Sequence, residues 1–190
     1  MATTHQLANL VNGVNVDNLF TTIEAIKAAP ATANFRFRIR NQWEDASRNR
    51  STVGAFYGAG QEQSRTKPFV LEADEPPVLL GTDQAANPVE HLLHALASCL
   101  TTSMVYHAAA RGIQLEEVES TFEGDIDLQG FLDLDQDVRK GLQGIRVSFR
   151  IKADVPDAQL SEIAALGSGH SPVFDSLTKG VPVSVKAERL

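Results

Sequence analysis

NPVEHLLHALASCLTTSMVYHAAARGI, residues 87–113, is the stretch that decides the fold of this chain. Asn87 is a good N-cap, Pro88 suits the first helical position, and Glu90 follows at the third, while Gly112 marks the end. These signals predict one helix of about 24 residues, near 36 Å long at about 1.5 Å per residue.

The predicted helix is apolar around most of its circumference. At 100° per residue, one face contains Leu92, Ala95, Cys99, Ser103 and Tyr106, and the adjoining surface contains Leu93, Leu96, Leu100 and Met104. One small sheet cannot cover such a helix. We therefore expect antiparallel sheets wrapped around it, with a second copy of the chain completing the cover in a homodimer.

The segments around this helix alternate between helical and strand patterns. Residues 15–29 predict a short amphipathic helix that ends before Pro30, and residues 35–40, FRFRIR, alternate as in a half-buried strand. Further strands are predicted within 116–128, 144–155 and 181–190, and a helix within 156–167. This order favours an α+β fold over a regular βαβ alternation. We expect an N-terminal extension at 1–34 and one domain at 35–190.

Composition excludes several classes of protein. The 190 residues are 43% hydrophobic and carry a net charge of −7, with no basic stripe dense enough for nucleic acid. A single cysteine rules out an intramolecular disulfide framework and multi-cysteine metal sites. The N-terminus lacks a signal-peptide pattern, and no segment is apolar enough to span a bilayer. These features predict a cytoplasmic protein that binds neither membrane nor nucleic acid.

Three motifs in this order resemble the OsmC/Ohr superfamily, the osmotically inducible and organic hydroperoxide resistance proteins. They are NPVEHLLHALASCL at the start of the long helix, GIRVSFRIKADV in a later strand, and SPVFDSLTKGVPVSV near the end. The resemblance covers about residues 35–190. It implies an intertwined homodimer in which sheets from both chains enclose the central helices.

The resemblance also implies thiol peroxidase chemistry, in which one cysteine reduces a hydroperoxide and a second resolves it as a disulfide. Cys99 matches the first cysteine, but Ser171 stands at the resolving position. The assisting arginine matches Arg48, with Arg50 as the alternative. The assisting glutamate of the family follows the proline directly. That place is Val89 here. Glu90, one residue later and rotated by about 100° on the helix, is the nearest candidate for the role.

Two roles for Cys99 therefore remain open, a reactive thiol and an inert residue of the core. A thiol attacks as the thiolate, which needs a nearby cation because Cys99 lies too far inside its helix to benefit from the dipole. The alternative is an inert cysteine that fills the core. His170 beside Ser171 is a weak basis for a serine nucleophile, because adjacent residues usually point apart.

Two histidines, His91 and His94, lie three residues apart on the predicted helix, but no third metal ligand is in view. We expect no metal and no other cofactor.

Three functions remain in competition. The first is a one-cysteine hydroperoxide reductase that acts in oxidative stress defence and is regenerated by an external thiol. The second is a catalytically degenerate dimer that binds a small apolar molecule. The third is a structural or regulatory dimer without a ligand.

Overall fold

The computed structural model describes residues 9–189 and has a mixed helix and sheet fold. Its helices are α1 Val16–Ala28, α2 Pro88–Ala110, α3 Leu128–Phe131, α4 Asp157–His170 and α5 Pro172–Lys179. Its strands are β1 Leu10–Val11, β2 Val14–Asn15, β3 Arg40–Asp45, β4 Arg48–Val53, β5 Phe56–Gly58, β6 Gln61–Gln63, β7 Phe69–Ala73, β8 Leu115–Asp125 and β9 Gly144–Ala153.

The chain divides into two compact units. The first contains residues 15–92 together with Asn9, and the second contains residues 10–14 and 93–189. Residues 1–8, which belong to the predicted extension, and Leu190 lie outside the described residues. The domain boundary predicted after residue 34 stays a prediction.

The first unit is built on an antiparallel sheet in the order β3-β4-β7, beside the β5–β6 hairpin. The sheet carries large exposed apolar side chains. Trp43, Phe69 and Leu71 point to the same side of the sheet and are 73%, 57% and 45% exposed. Apolar surface of this kind, on the two strands that flank β4, is typical of a face that another molecule covers.

The second unit has a compact apolar core. The antiparallel hairpin of β8 and β9 pairs from Leu115 with Ala153 to Asp125 with Gly144. Met104, Ala108, Leu115 and Ile163 are buried against one another, which joins α2, the hairpin and α4. This core holds the second half of α2 in place.

The first helix confirms the prediction for residues 15–29. It spans Val16–Ala28, and the Asn15 side chain accepts a hydrogen bond from the Asn18 backbone N–H at 2.9 Å. This bond satisfies one of the donors that every helix leaves unpaired at its N-terminus.

Two predicted strands are wrong. Within 35–40, only Arg36 forms a bridge, to Tyr57, and regular pairing starts at Arg40. Val181, Val183 and Val185 alternate as in a strand, but residues 180–189 have no regular structure and these valines are highly exposed. Alternation produces a strand only where a neighbouring strand supplies hydrogen bonds. In the described part of the chain, residues 35–39 pair only through the bridge of Arg36 with Tyr57, and residues 180–189 pair with no strand.

The structure also contains helices that the sequence patterns did not predict. Residues 128–131 form one turn inside the acidic insertion between β8 and β9, and α5 follows α4 directly. Among the described residues, no helix is both long and apolar enough to cross a membrane.

Candidate functional site

Cys99 lies near the middle of α2 as a free, half-buried thiol. The buried stripe of this helix contains Leu96, Leu100, Met104 and Ala108, one residue per turn. Cys99 belongs to the adjacent face, where Ser103 is also half-buried and Tyr106 is exposed. The thiol is therefore neither sealed in the core of the described chain nor fully open.

The C-terminal end of α4 packs against the turn of α2 that follows Cys99, at Leu100 and Ser103. A Cβ atom at Gly167 would come within 2.8 Å of the Leu100 carbonyl oxygen, so only glycine permits this approach. One turn further along α2, the Ser103 hydroxyl donates to the His170 carbonyl at 3.4 Å. These contacts bring the end of α4 next to the helix segment that carries the thiol.

Ser171, the residue at the family's resolving position, has a structural task. It is 2% exposed and forms the N-cap of α5, where its hydroxyl accepts from the Phe174 backbone N–H at 3.1 Å. A serine is well suited to this position because a hydroxyl caps a helix better than a thiol.

His107 and His170 join α2 to the same end of α4. Their rings stack with centroids 3.6 Å apart, and the Arg111 guanidinium donates to the His107 carbonyl at 2.8 Å. Burial lowers the pKa of His107 below its ordinary value, and His170 and Arg111 lower it further by charge repulsion. The stack therefore favours the neutral form of His107.

Glu90 and Asn87 form a reciprocal capping box at the start of α2. The Glu90 carboxylate accepts from the Asn87 N–H at 2.8 Å, and the Asn87 side chain accepts from the Glu90 N–H at 2.8 Å. The predicted helix start is thus confirmed. This geometry gives Glu90 a purely local task, and its proposed part in catalysis stays a prediction.

Arg48 and Arg50 lie on the same face of β4, within reach of one carboxylate. Glu44 is 3.2 Å from Arg48 Nη2 and 3.3 Å from Arg50 Nε. Glu72, opposite Arg50 in the sheet, accepts from the same guanidinium at 2.8 Å. Both arginines are about half exposed, so these pairs are weak and exchangeable.

The two histidines at the start of α2 have separate surroundings. The His91 ring donates from Nε2 to the Glu72 carbonyl at 2.9 Å, which fastens the first turn of α2 to β7, and His94 is exposed. Within residues 9–189, no group of three or more His, Cys, Asp or Glu side chains is placed to hold a metal ion.

Sequence reasoning missed two features near these residues. His107 and His170 are far apart in the chain, and no local pattern predicted that their rings meet. Asp74, in the loop after β7, is 1% exposed and carries five hydrogen bonds. No periodic pattern of residues predicts a buried carboxylate in a polar loop. Its hydrogen-bond partners come from two other segments of the chain.

The family model for OsmC-like proteins matches residues 81–186, which include α2, the β8–β9 hairpin, α4 and α5. This match covers more than half of the chain. The chain belongs to the OsmC-like protein family. The resemblance noted in the sequence is confirmed. The matching of Cys99 to the family's first cysteine stays a prediction.

Solved structures agree on the fold. The OsmC-like protein of Mycoplasma pneumoniae is 18% identical over 75% of this chain and 87% of its own, with a TM-score of 0.57. An OsmC-like protein from Vibrio cholerae is 12% identical over 74% and 92%, with a TM-score of 0.52. An organic hydroperoxide resistance protein OsmC from Legionella pneumophila is 16% identical over 74% and 88%, with a TM-score of 0.51. No curated protein sequence matches the chain.

Proposed function

We propose that this OsmC-like protein is a one-cysteine organic hydroperoxide reductase. The observation that carries the proposal is the free, half-buried thiol of Cys99 on α2 of an OsmC-like fold. One structural neighbour bears the name of an organic hydroperoxide resistance protein, which supports the same substrate class.

The chemistry needs one thiol in the protein and two from outside. The Cys99 thiolate attacks the terminal oxygen of the hydroperoxide and becomes a sulfenic acid, while the O–O bond breaks and the alkoxide leaves as an alcohol after protonation. An external thiol then condenses with the sulfenic acid, releasing water and forming a mixed disulfide. A second external thiol reduces that mixed disulfide, which restores the Cys99 thiol and releases the two external thiols joined as a disulfide.

The cation that stabilises the thiolate would be Arg48, with Arg50 as the second candidate. Their ion pairs with Glu44 are exposed and cost little to exchange, so either guanidinium is available to a stronger partner. The working form would be the homodimer, because the exposed apolar residues of β3 and β7 need a partner. The cytoplasmic location expected from the sequence is part of the same proposal.

Mass spectrometry after treatment with an organic hydroperoxide tests this function. We expect one oxygen on Cys99 at low peroxide and two or three in excess, because Ser171 cannot resolve the sulfenic acid. A small external thiol added together with the peroxide should keep Cys99 reduced and release the alcohol catalytically. If native Cys99 stays reduced while the denatured chain oxidises, the thiol is shielded and the proposal fails.

A specific observation favours a second function, a catalytically degenerate dimer that binds a small apolar molecule. Ser171 and Glu90 both have structural tasks, the cap of α5 and the capping box of α2. Binding without turnover would leave Cys99 reduced under peroxide and would be detected by a ligand-dependent rise in the unfolding temperature.

A further inference from the structure

Three basic side chains, which we call the basic cluster, meet where the C-terminal ends of α2 and α4 adjoin, all within the second unit. His107, in the last turn of α2, stacks on His170, the last residue of α4, with ring centroids 3.6 Å apart. Arg111 follows α2 directly, and its Nη1 lies 3.5 Å from Nδ1 of His107. When both rings are protonated, three positive charges lie on one small area of the protein.

The charge of the basic cluster is not offset by a carboxylate among the described residues. Burial lowers the pKa of His107 most, and the charged groups that act on its ring, His170 and Arg111, lower it further. The two acidic side chains nearest in sequence, Glu116 and Asp175, form ion pairs with lysines instead. Each proton that the rings take up therefore meets repulsion that no neighbouring carboxylate relieves.

The basic cluster also has hydrogen-bond donors that no described residue accepts. The guanidinium of Arg111 donates to the His107 carbonyl through Nη1 at 2.8 Å, and its Nε and Nη2 have no acceptor in residues 9–189. In a neutral His107 ring, Nδ1 faces this guanidinium and Nε2 carries the proton. His170 and Arg111 are exposed and His107 is half-buried. Several N–H groups are therefore within reach of a ligand from solvent.

We infer that the basic cluster binds a small, doubly charged oxyanion of the sulfate or phosphate type. The oxygen atoms of such an anion accept hydrogen bonds from a guanidinium fork and from imidazole N–H groups, and its charge relieves the repulsion within the cluster. Binding and protonation are then linked, because the anion favours the charged rings and the charged rings favour the anion. The inference goes beyond the proposed function and does not depend on it, since no reaction at Cys99 is involved.

Titration with sodium sulfate, followed by the NMR signals of the histidine rings, tests the inference. Sulfate keeps its double charge at pH 6 and at pH 8, so only the charge of the protein changes between the two titrations. The signals of His107 and His170 should shift and saturate. The dissociation constant should be about tenfold lower at pH 6, because an ordinary histidine gains its proton near pH 6.5. Sodium chloride at equal ionic strength is the control and should cause small shifts without saturation.

Substitutions in the basic cluster separate its members. Arg111→Gln should weaken sulfate binding at both pH values, and Arg111→Lys should restore part of it, because lysine keeps the charge but lacks the planar fork. His170→Gln, at an exposed position, should reduce the gain in affinity at pH 6. His94→Gln, at an exposed site on the same helix, should leave both dissociation constants unchanged. Urea titration of each variant checks that it is folded.

A parallel titration with glycerol phosphate at pH 8, where this ester is also doubly charged, distinguishes two sources of the anion. Equal affinity for the ester and for sulfate would assign the site to the phosphate group of a larger molecule, and binding of sulfate alone would assign it to a free ion. The inference is wrong if the shifts do not saturate, if chloride reproduces them, or if Arg111→Gln leaves them unchanged. The basic side chains would then only complement the carbonyl ends of α2 and α4.

Discussion

The imidazole rings of His107 and His170 lie face to face, with centroids 3.6 Å apart and ring planes 14° apart. The pair fastens α2 to the end of α4, one residue before the Ser171 cap. Because burial and the neighbouring charges lower the pKa of His107, the unfolded chain takes up a proton more readily than the folded chain. The stack thus makes folding sensitive to acid.

This relationship predicts a loss of stability on acidification. The stabilisation is fully present above the ordinary histidine pKa of about 6.5 and is lost as the pH falls from there through the lower pKa of His107 in the folded chain. The urea concentration at the midpoint of unfolding should therefore decrease as the pH is lowered from about 7.5 to about 5.5. His107→Gln should flatten this dependence, and His94→Gln, at an exposed site on the same helix, should keep it. Equal slopes in all three proteins would mean that the stack does not control acid stability.

Because Ser171 caps α5, replacing it should change the stability of the protein and leave the reactivity of Cys99 unchanged. Ser171→Ala should lower the free energy of unfolding by about 1 kcal/mol, because the Phe174 N–H loses its acceptor, whereas Ser171→Thr should cost less. Denaturant titration measures both changes. Oxidation of Cys99 by peroxide should be the same in all three proteins. A slower oxidation in Ser171→Ala, at unchanged stability, would instead assign the hydroxyl a chemical role.

Replacing the same residue by cysteine tests the missing resolving thiol. Ser171→Cys should form a disulfide with Cys99 under peroxide if the two Cα atoms lie within about 7 Å. The marker is a mass loss of two daltons, accompanied by new dithiol-dependent turnover. Since cysteine caps poorly, the reduced variant should also be less stable than the native protein. Oxygen addition on Cys99 without a disulfide would show that this position cannot serve as a resolving site.

The capping box predicts that Glu90 acts on the helix rather than on the thiol. Glu90→Ala should lower the free energy of unfolding by about 1 kcal/mol, and Glu90→Gln should keep most of it, because an amide oxygen still accepts from Asn87. The rate at which iodoacetamide alkylates Cys99 at pH 6 should be equal in the native protein and in both variants. A slower reaction in Glu90→Gln, comparable with that of Arg48→Ala, would assign Glu90 a part in activating the thiol.

The exposed apolar residues predict a homodimer. Light scattering at micromolar concentration should give twice the 20.6 kDa mass of one chain. Trp43→Glu, at a 73% exposed position, should shift the protein towards monomer, while Lys186→Glu in the C-terminal tail should not. A stable native monomer would leave the exposed faces of β3 and β7 without the partner expected here.

The sequence by itself determined the long helix and the family. The caps at Asn87, Pro88 and Glu90 act within one turn, so their effect can be read locally, and the observed helix starts at Pro88. The start of α1 at Asn15 follows from the same kind of local hydrogen bond. The motif order around Cys99 was sufficient to recognise the OsmC-like fold.

Only the tertiary structure decided which alternating segments become strands and which polar groups meet. FRFRIR and the valines after residue 180 alternate, yet a strand needs a hydrogen-bonded neighbour, and neighbours are distant in sequence. The stack of His107 on His170 and the five bonds of Asp74 likewise join residues from different segments. Local patterns are properties of a few consecutive residues, whereas these contacts exist only after the chain has folded.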